Sequence, residues 1–584
     1  MGEAIEPYLL TIIIFLPIAG ALTLLLVGER TQRGKAILRW AAFVYALGAF
    51  LLSLWAAARF DLSPQAPAFQ FLCQANWIPA WGVSYKVGAD GLSLLLVLLT
   101  NLLSVLAILS SFSAIRHREK EYYILMLLLQ SGILGTFLAL DLFLFYVFWE
   151  LMLIPLYFLI GIWGSEDRIY ATMKFVIYTL TGSLLMLVAI LVVYFRARAA
   201  NNGVGTFDYV VLTQLDLGLS GRAQLCVFLA FLLAFAIKVP MFPLHTWLPD
   251  AHTEAPTAGS VILAGVLLKI GVYGILRFCI PLFPEAAVRA TPVLIWLAVI
   301  AIIYGALTAM AQKDMKRLVA YSSVSHMGFV ILGIFAFQEQ AVRGGMLQMV
   351  NHGISTGGLF LCVGMIYERR HTRLMSEFGG LAVNLRRYAA LTVIIVLSSV
   401  GLPGLNGFVG EFLVIVGVFQ KKILWAVLAG SGVILSAVYL LLMVQRTFFG
   451  PLDKPANRQL RDLCPREVLT LLPLILIAFW IGLYPKPFLR LLDRNSTELI
   501  ATIANAGKTQ APDRVPYRPG PERPVRPDSL TFLSLPYPFP ATQPRVVPFN
   551  EPCSVFCLPR VTGEPMIFWV DSPQIAMSQP KRPR

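Results

Sequence analysis

Fourteen apolar stretches divide this chain, and each is long enough to cross a lipid bilayer. A membrane-spanning helix needs about 20 apolar residues. By that measure, spans are predicted at 8–28, 37–58, 90–113, 122–140, 142–163, 172–195, 223–246, 256–280, 292–311, 318–337, 345–367, 389–418, 423–448 and 468–490. The sequence therefore predicts an all-α integral membrane protein of about fourteen transmembrane helices.

The charged residues agree with this prediction in number and in position. They make up 14% of the chain, whereas soluble proteins carry roughly 25%. The net charge of +15 comes from short basic clusters between spans, in the loops after spans 1, 3, 9, 11 and 13. Such clusters are typical of cytoplasmic loops. They argue against a nucleic-acid partner and predict that both termini lie on the outer (periplasmic) side of the membrane.

Neither a metal site nor a cofactor site is predicted on this chain. The seven cysteines are scattered and none forms a CxxC pair, which an iron–sulfur or zinc site of the usual kind would need. A GxGxxG motif after a strand pattern, which would indicate a dinucleotide site, is also missing from the sequence. Any redox chemistry is therefore expected on other subunits.

Three charged residues lie well away from the ends of predicted spans in the first half. They are Glu150, Lys238 and Lys269. A charge at the bilayer centre costs at least ~2.5–3.5 kcal/mol, so such residues indicate function. Pro240 and Pro243 follow Lys238 and are expected to break its helix. Broken membrane helices are tolerated where they line protein or water, so the break is expected to give Lys238 access to water.

The second half repeats this pattern, and the repetition predicts two inverted five-helix repeats, helices 4–8 and 9–13. Glycines and a proline interrupt span 389–418 just before Glu411, and paired broken helices are typical of inverted-repeat transporters. The predicted break residues there are Gly401, Pro403 and Gly404. His326 and His352 fall inside helices 10 and 11, where side chains that titrate near neutral pH suit a proton relay.

The repeats also predict the domain organisation. Residues 1–121 form three N-terminal helices, 122–280 the first repeat and half-channel, 281–448 the second repeat and half-channel, and 449–500 a loop and the C-terminal span. Residues 501–584 are rich in proline and arginine, which predicts an extended or disordered extramembrane tail. Cys553 and Cys557 lie in this tail, and either a disulfide or two unrelated thiols fits the sequence.

A proton path explains these residues best, but static roles remain open. Two unit charges ~4 Å apart interact by about 4 kcal/mol at an effective dielectric near 20, which is enough to switch a buried lysine between its charged and neutral forms. Glu150 and Lys238 would otherwise be a structural ion pair, and Lys269 would extend to the membrane interface. The two relay histidines would be packing residues, and His245, a possible secondary site, would cap or pack a helix end.

Several segments resemble one family closely. The segment KVPMFPLHTWLPDAHTEAPTAGSVILAGVLLKIGVYGILRF is similar to the most characteristic segment of the antiporter-like subunits of respiratory complex I, and YSSVSHMGFV, MVNHGISTGGLFL and GLPGLNGFVGEF resemble their later helices. A glutamate at 411, where sibling subunits carry lysine, resembles the subunit-4 type. The resemblance covers about residues 1–500.

The resemblance implies a proton-translocating subunit of NADH–quinone oxidoreductase in the inner (plasma) membrane of a bacterium. It would work with other membrane subunits, including sibling antiporter-like subunits. Glu150 and Lys238 would be the charge pair of the first half-channel, with Lys269 as the central relay. His326 and His352 would continue that relay to Glu411. FMN, iron–sulfur clusters and quinone would be bound by other subunits of the complex. A subunit of a multisubunit cation/proton antiporter, a membrane-bound hydrogenase subunit and a non-pumping scaffold are the alternatives.

Overall fold

The computed structural model describes residues 6–506 of the chain, and most of this part is helical. The predicted 501–584 tail, with Cys553 and Cys557, therefore lies almost entirely outside the described residues. Within the described part, thirteen helices are continuous and apolar enough to cross a membrane. The remaining predicted span, 389–418, is present as two shorter helices, so the sequence-based prediction of about fourteen spans is confirmed.

The helices follow one another along the chain. They are α1 (Leu9–Leu25), α2 (Gln32–Arg59), α3 (Gly91–Ala114), α4 (Glu119–Leu138), α5 (Leu142–Trp163), α6 (Arg168–Ala200), α7 (Gly221–Lys238), α8 (Thr257–Leu282), α9 (Pro284–Met310), α10 (Met315–Phe335), α11 (Glu339–Arg370), α12 (Arg386–Val400 and Asn406–Lys421), α13 (Ile423–Phe448), α14 (Pro465–Leu483) and α15 (Lys486–Ala506). Helices α8 and α11 are the most enclosed, because the most apolar part of each is entirely buried.

Helix α7 ends at Lys238, eight residues before the predicted end of its span. Pro240 has no N–H to donate, so the helical hydrogen-bond pattern cannot continue through it. The indole Nε1 of Trp247 donates to the carbonyl of Ile237 at 2.9 Å. One carbonyl left free at the end of α7 is thus satisfied by a side chain from the short helix Trp247–Glu254, which makes the break tolerable inside the membrane.

The break in α12 depends on glycine at two positions. Gly401 and Gly404 adopt φ values of +86° and +92°, a left-handed conformation that glycine accepts without steric cost. The amide of Leu402 still bonds the carbonyl of Leu397 at 3.1 Å, which closes the first segment. Helix α14 packs on the break, since a Cβ on Gly482 would come within 2.2 Å of the Gly404 carbonyl oxygen.

Two elements were not predicted from the sequence. Residues 59–89, predicted as a loop, contain an antiparallel hairpin of β1 (Gln70–Ile78) and β2 (Val83–Ala89). The predicted span 468–490 is wrong at its C-terminal end, because α14 stops at Leu483 and α15 begins at Lys486. Helix α15 is amphipathic and buries Leu492 and Leu499, a seven-residue spacing that places both on one helix face.

Helices α7 and α8 pack closely because α8 carries glycine at the contact. A Cβ on Gly271 would lie 2.6 Å from the backbone oxygen of Phe235. We therefore expect Gly271→Ala to lower the unfolding temperature of the assembled protein, since overpacking a rigid contact costs about 1–3 kcal/mol. Thermal unfolding of the purified complex checks this.

Gly430 in α13 provides the matched control. It has open space around the position of an added Cβ. Alanine is favoured over glycine inside a helix by roughly 0.5–1 kcal/mol, so Gly430→Ala should leave the unfolding temperature unchanged or raise it. Equal unfolding temperatures for the two variants would contradict the close α7–α8 contact.

Candidate functional site

Lys269 lies at the centre of the structure, on α8, with a fully buried side chain. Its Nζ donates to the carbonyl of Ala264 and lies 2.7 Å from Nδ1 of His352 on α11. Two π-helical segments, Leu263–Leu267 and Ile275–Cys279, flank this part of α8. Such segments inside α-helices occur frequently at functional sites. Lys269 therefore connects the last helix of the first predicted repeat with a helix of the second.

A second buried contact joins His326 on α10 to Glu411 on α12. His326 Nδ1 lies 2.8 Å from Glu411 Oε1, and Gln348 Nε2 donates to the same oxygen at 3.0 Å. Both His326 and Glu411 are at most 3% exposed. Within the described residues, Glu411 Oε2 has no hydrogen-bond partner. The second carboxylate oxygen is thus available to accept a proton.

An amide network holds the Glu411 segment in position. Asn351 Nδ2 donates to the backbone oxygen of Asn406 at 2.8 Å, and Asn406 Nδ2 donates to the backbone oxygen of Asn351 at 3.2 Å. Ser398 donates to the Asn406 side chain at 2.5 Å, across the break in α12. These residues were not predicted from the sequence. A usable signal was present, since Gln348, Asn351 and His352 share one helical face by spacing.

In the first half, Lys238 is 2% exposed and ends α7. Within the described residues its Nζ has no hydrogen-bond partner, and it lies 5.2 Å from the centroid of the Trp149 ring and 5.5 Å from that of Phe175. Aromatic faces attract a cation at such distances. Glu150, which is partly exposed, instead accepts a hydrogen bond from Ser183.

The predicted charge pair of Glu150 and Lys238 is therefore not closed in this structure. The two side chains form no salt bridge of 4.0 Å or less among the residues described, although Glu150 acts electrostatically on Lys238. An open pair leaves the lysine in an apolar, aromatic environment, where its ammonium form is less stable than beside a carboxylate.

The predicted residues thus form two groups. The first contains Glu150 and Lys238, and the second contains Lys269, His352, His326 and Glu411. Within the second group, the rings of His352 and His326 have centroids 5.8 Å apart. Two direct contacts and one ring-to-ring step therefore span the distance from Lys269 to Glu411. Across the part of the chain that is described, no hydrogen bond connects Lys238 with Lys269.

His245 takes a packing position. Its ring stacks on Phe242 with centroids 5.6 Å apart and meets Tyr304 edge-on at 5.3 Å. His252 is fully buried against Phe360, and neither of its ring nitrogens has a partner in residues 6–506. The sequence predicted His245 as a possible secondary site, but it did not predict the full burial of His252.

Lys316 was placed in a basic loop cluster from the sequence, and the structure corrects this. It is 7% exposed, and its Nζ donates to the backbone oxygens of Thr253, at 3.3 Å, and Ala255. These carbonyls lie at the end of the short helix Trp247–Glu254, where a cation is favoured. A cluster of basic residues in the sequence does not indicate which of their side chains is buried.

Two regions that match known protein families together cover most of the described chain. Residues 139–436 match the family described as NADH:quinone oxidoreductase/Mrp antiporter, and residues 43–137 match the amino terminus of NADH-ubiquinone oxidoreductase chain 4. Every candidate residue named above, from Glu150 to Glu411, lies within the first of these regions.

Individual relatives are similar over nearly their whole length. Subunit M of NADH-quinone oxidoreductase from Rhodobacter capsulatus is 46% identical over 493 residues, which cover 82% of this chain and 93% of the relative. NADH-ubiquinone oxidoreductase chain 4 of Marchantia polymorpha is 42% identical, over 84% of this chain and 96% of the relative.

Two solved structures have the same fold. A chain of respiratory complex I from Thermus thermophilus superposes with a TM-score of 0.75 at 36% identity, over 85% of this chain and 99% of that one. A chain of the Mrp complex from Dietzia gives a TM-score of 0.73 at 21% identity, over 86% of this chain and 99% of the other. The latter similarity concerns the fold alone.

Proposed function

Because this chain belongs to the family of subunit M of NADH-quinone oxidoreductase, and is thus a proton-translocating membrane subunit of that complex, we propose that its protons move along one line of buried ionisable side chains. The members of that line, in order, are Glu150, Lys238, Lys269, His352, His326 and Glu411. Each of these side chains can bind a proton and later release it. A structural ion pair, in contrast, keeps the same protonation throughout.

The observation that carries this proposal is the contact between Lys269 and His352. Both side chains are at most 1% exposed, and they meet at 2.7 Å between helices of different halves. A lysine buried without a carboxylate beside it is costly to keep charged. A neighbouring imidazole gives the proton a second position, so exchange between the two groups links the halves.

We place the two half-channels in residues 122–280 and 281–448. The order of elements supports this division, since each half has two spans, a third long helix, a broken helix and one further span. Five spans per half is an odd number, so the second half runs through the membrane in the opposite direction. The breaks at Pro240 and Pro243, and at Gly401, Pro403 and Gly404, then occupy corresponding positions in inverted repeats.

We place the protein in the inner membrane of a bacterium with both termini on the periplasmic side. Contacts between the helix ends and loops that carry the basic clusters support one common face for them. Arg466 Nη2 donates to Ser113 at 2.6 Å, and Arg373 pairs with Asp314 at 3.1 Å. The positive-inside rule makes this face cytoplasmic.

The protein works with other membrane subunits in a multisubunit complex. Glu150 is partly exposed on the side of the bundle, beside Ile154 and Tyr157, which are 57% and 40% exposed. A carboxylate is costly against lipid, so we propose that a neighbouring subunit covers this surface. NADH oxidation and quinone reduction, with FMN and iron–sulfur clusters, are assigned to other subunits.

Substitutions of Lys238 and Glu150 distinguish a role in proton transport from a purely structural role. Lys238→Met and Glu150→Gln should assemble normally, because the first removes a buried charge and the second keeps an acceptor oxygen for Ser183. NADH-driven proton transport into inverted vesicles should nevertheless fall roughly tenfold or more at an equal amount of complex, the loss expected when a proton-transfer group is removed.

Lys174 supplies the matched control, since it is a partly exposed lysine that pairs with Asp250 at 2.7 Å outside the proposed line. Lys174→Met should retain proton transport. A native gel measures assembly and the vesicle pH gradient measures transport. If the Lys238 and Glu150 variants assemble poorly and what assembles still pumps normally per NADH, the scaffold role is correct and the proposal is wrong.

A further inference from the structure

The short helix Trp247–Glu254, called the linking helix below, lies in the chain between Lys238 and Lys269. Helix α7 ends before it and α8 begins after it. All of its residues except Asp250 are buried. The contacts that hold the linking helix therefore set the position of the segment between the two lysines.

The first residue of the linking helix contacts the surroundings of Lys238. Trp247 is buried, and its indole Nε1 donates at 2.9 Å to the carbonyl of Ile237, the residue before Lys238. The Trp247 ring also packs on Phe175 of α6, with centroids 5.2 Å apart. Phe175 is one of the two aromatic residues beside Lys238 Nζ. Because buried groups are close-packed, a shift of Trp247 would disturb both the backbone and an aromatic neighbour of Lys238.

The last turn of the linking helix is held by two cations from the second half. Carbonyls at the C-terminal end of a helix have no partner within that helix. Lys316 Nζ, at the start of α10, donates to the carbonyls of Thr253 and Ala255. Arg373 Nη1, from the loop after α11, donates to the Thr253 carbonyl at 2.6 Å. Since a cation is also favoured at this end of a helix, both contacts fix the linking helix against the second half.

The two cations are themselves tied together. Asp314 Oδ1 accepts a hydrogen bond from the backbone nitrogen of Lys316 at 2.7 Å, and Asp314 Oδ2 pairs with Arg373 Nε at 3.1 Å. The backbone nitrogen of Met315 donates to the Arg373 carbonyl at 3.0 Å. The start of α10 and the loop after α11 thus present both cations to the linking helix from one hydrogen-bonded unit.

We infer that Lys316 and Arg373 are positioning residues for Lys238, and that they act through the linking helix. This inference rests on the proposed role of Lys238 in proton transport. The cations hold the last turn of the linking helix, and Trp247 in its first turn holds the backbone and the ring beside the lysine. The helix has eight residues and is thus only about 12 Å long, so its two ends move together. Neither cation gives up a proton in this role.

Lys316→Met tests the first cation, because methionine is close to lysine in length but cannot bind the two carbonyls. NADH-driven proton transport into inverted vesicles should fall roughly tenfold at an equal amount of assembled complex, since misplacing a reacting group by about 1 Å can cost about 100-fold. Lys316→Arg keeps a cation with several donors, and arginine does not release its proton in proteins. It should therefore retain transport, as expected of a residue that positions and does not carry protons.

Trp247→Phe tests the other end of the linking helix. Phenylalanine keeps an aromatic ring towards Phe175 but has no N–H for the Ile237 carbonyl. We expect a similar loss of transport from Trp247→Phe alone, and no further loss when it is combined with Lys316→Met, because substitutions that act through one element are not additive. Two unrelated structural defects would instead multiply their effects. If Lys316→Met does not assemble, normal transport in Trp247→Phe is the result that overturns the inference.

Lys120, at the start of α4, is the matched control. Its Nζ also donates to a carbonyl at a helix end, that of Leu25, the last residue of α1. Lys120→Met should transport protons normally. Normal transport in assembled Lys316→Met, an equal loss in Lys316→Arg, or a further loss in the double variant would overturn the positioning role. If Lys238→Met loses transport in that case, the proposed function stands without it; if Lys238→Met also transports protons normally, the proposed function itself is wrong.

Discussion

Lys269→Met is expected to abolish proton transport while the complex still assembles. Methionine is close to lysine in length and brings no charge into the core, so it avoids the cost of burying an ammonium group. The Ala264 carbonyl and His352 lose their contact with the lysine. An unmade hydrogen bond at a buried group costs about 1–3 kcal/mol, which a large membrane complex tolerates. Without the lysine, however, the proposed line is interrupted between Lys238 and His352.

The measurement is proton uptake by inverted vesicles at matched amounts of assembled complex, and the expected fall is roughly 100-fold, within the range for loss of a proton-transfer group. Lys421→Met is the matched control. Lys421 Nζ also donates to a backbone oxygen, that of Ala336 at 2.9 Å, but it lies at the end of α12 and is exposed. If the Lys269 variant transports protons as well as the Lys421 variant does, Lys269 is not a central relay.

Two substitutions of Glu411 are expected to differ in their effect on the assembly of the complex. Glu411→Gln keeps an acceptor oxygen for His326 and Gln348, so the variant should assemble, yet its side chain cannot take up a proton. Transport should fall roughly 100-fold. Glu411→Ala removes the acceptor from two buried donors, and each unsatisfied donor costs about 1–3 kcal/mol. We therefore expect the alanine variant to lose assembly as well.

Native gels and vesicle pH gradients distinguish these outcomes. Glu498→Gln is the control, because this carboxylate is 56% exposed and pairs with Arg494 within α15. Exposed pairs of this kind contribute only about 0–1 kcal/mol, so assembly should not change. If Glu411→Gln pumps normally, the carboxyl group positions His326 and carries no proton.

Several features of the site could be predicted because they are local. Lys238 precedes two prolines, and Glu411 follows an interruption by glycines and a proline, so each combines a charge with a broken helix in a short segment. The cost of a charge in lipid then makes such a segment stand out. The family model covers this region too, so the identification of the family did not depend on the tertiary structure.

Other features could not be predicted because they depend on contacts between distant segments. Lys269 and His352 are 83 residues apart in the chain, and His326 is 85 residues from Glu411. Lys316 looks like a loop lysine in the sequence, although its side chain turns inward to the backbone of Ala255. The residue pattern of one segment does not indicate which distant segment its side chains contact.

The sequence by itself determined the membrane-spanning architecture, the broken helices and the ionisable residues buried within them. These follow from hydropathy and from the missing N–H of proline, both of which act over a few residues. The tertiary structure decided which of those residues touch. It joined Lys269 to His352 and His326 to Glu411, and it left Glu150 and Lys238 apart. Helix packing sets these distances, and packing depends on side chains from every neighbouring helix at once.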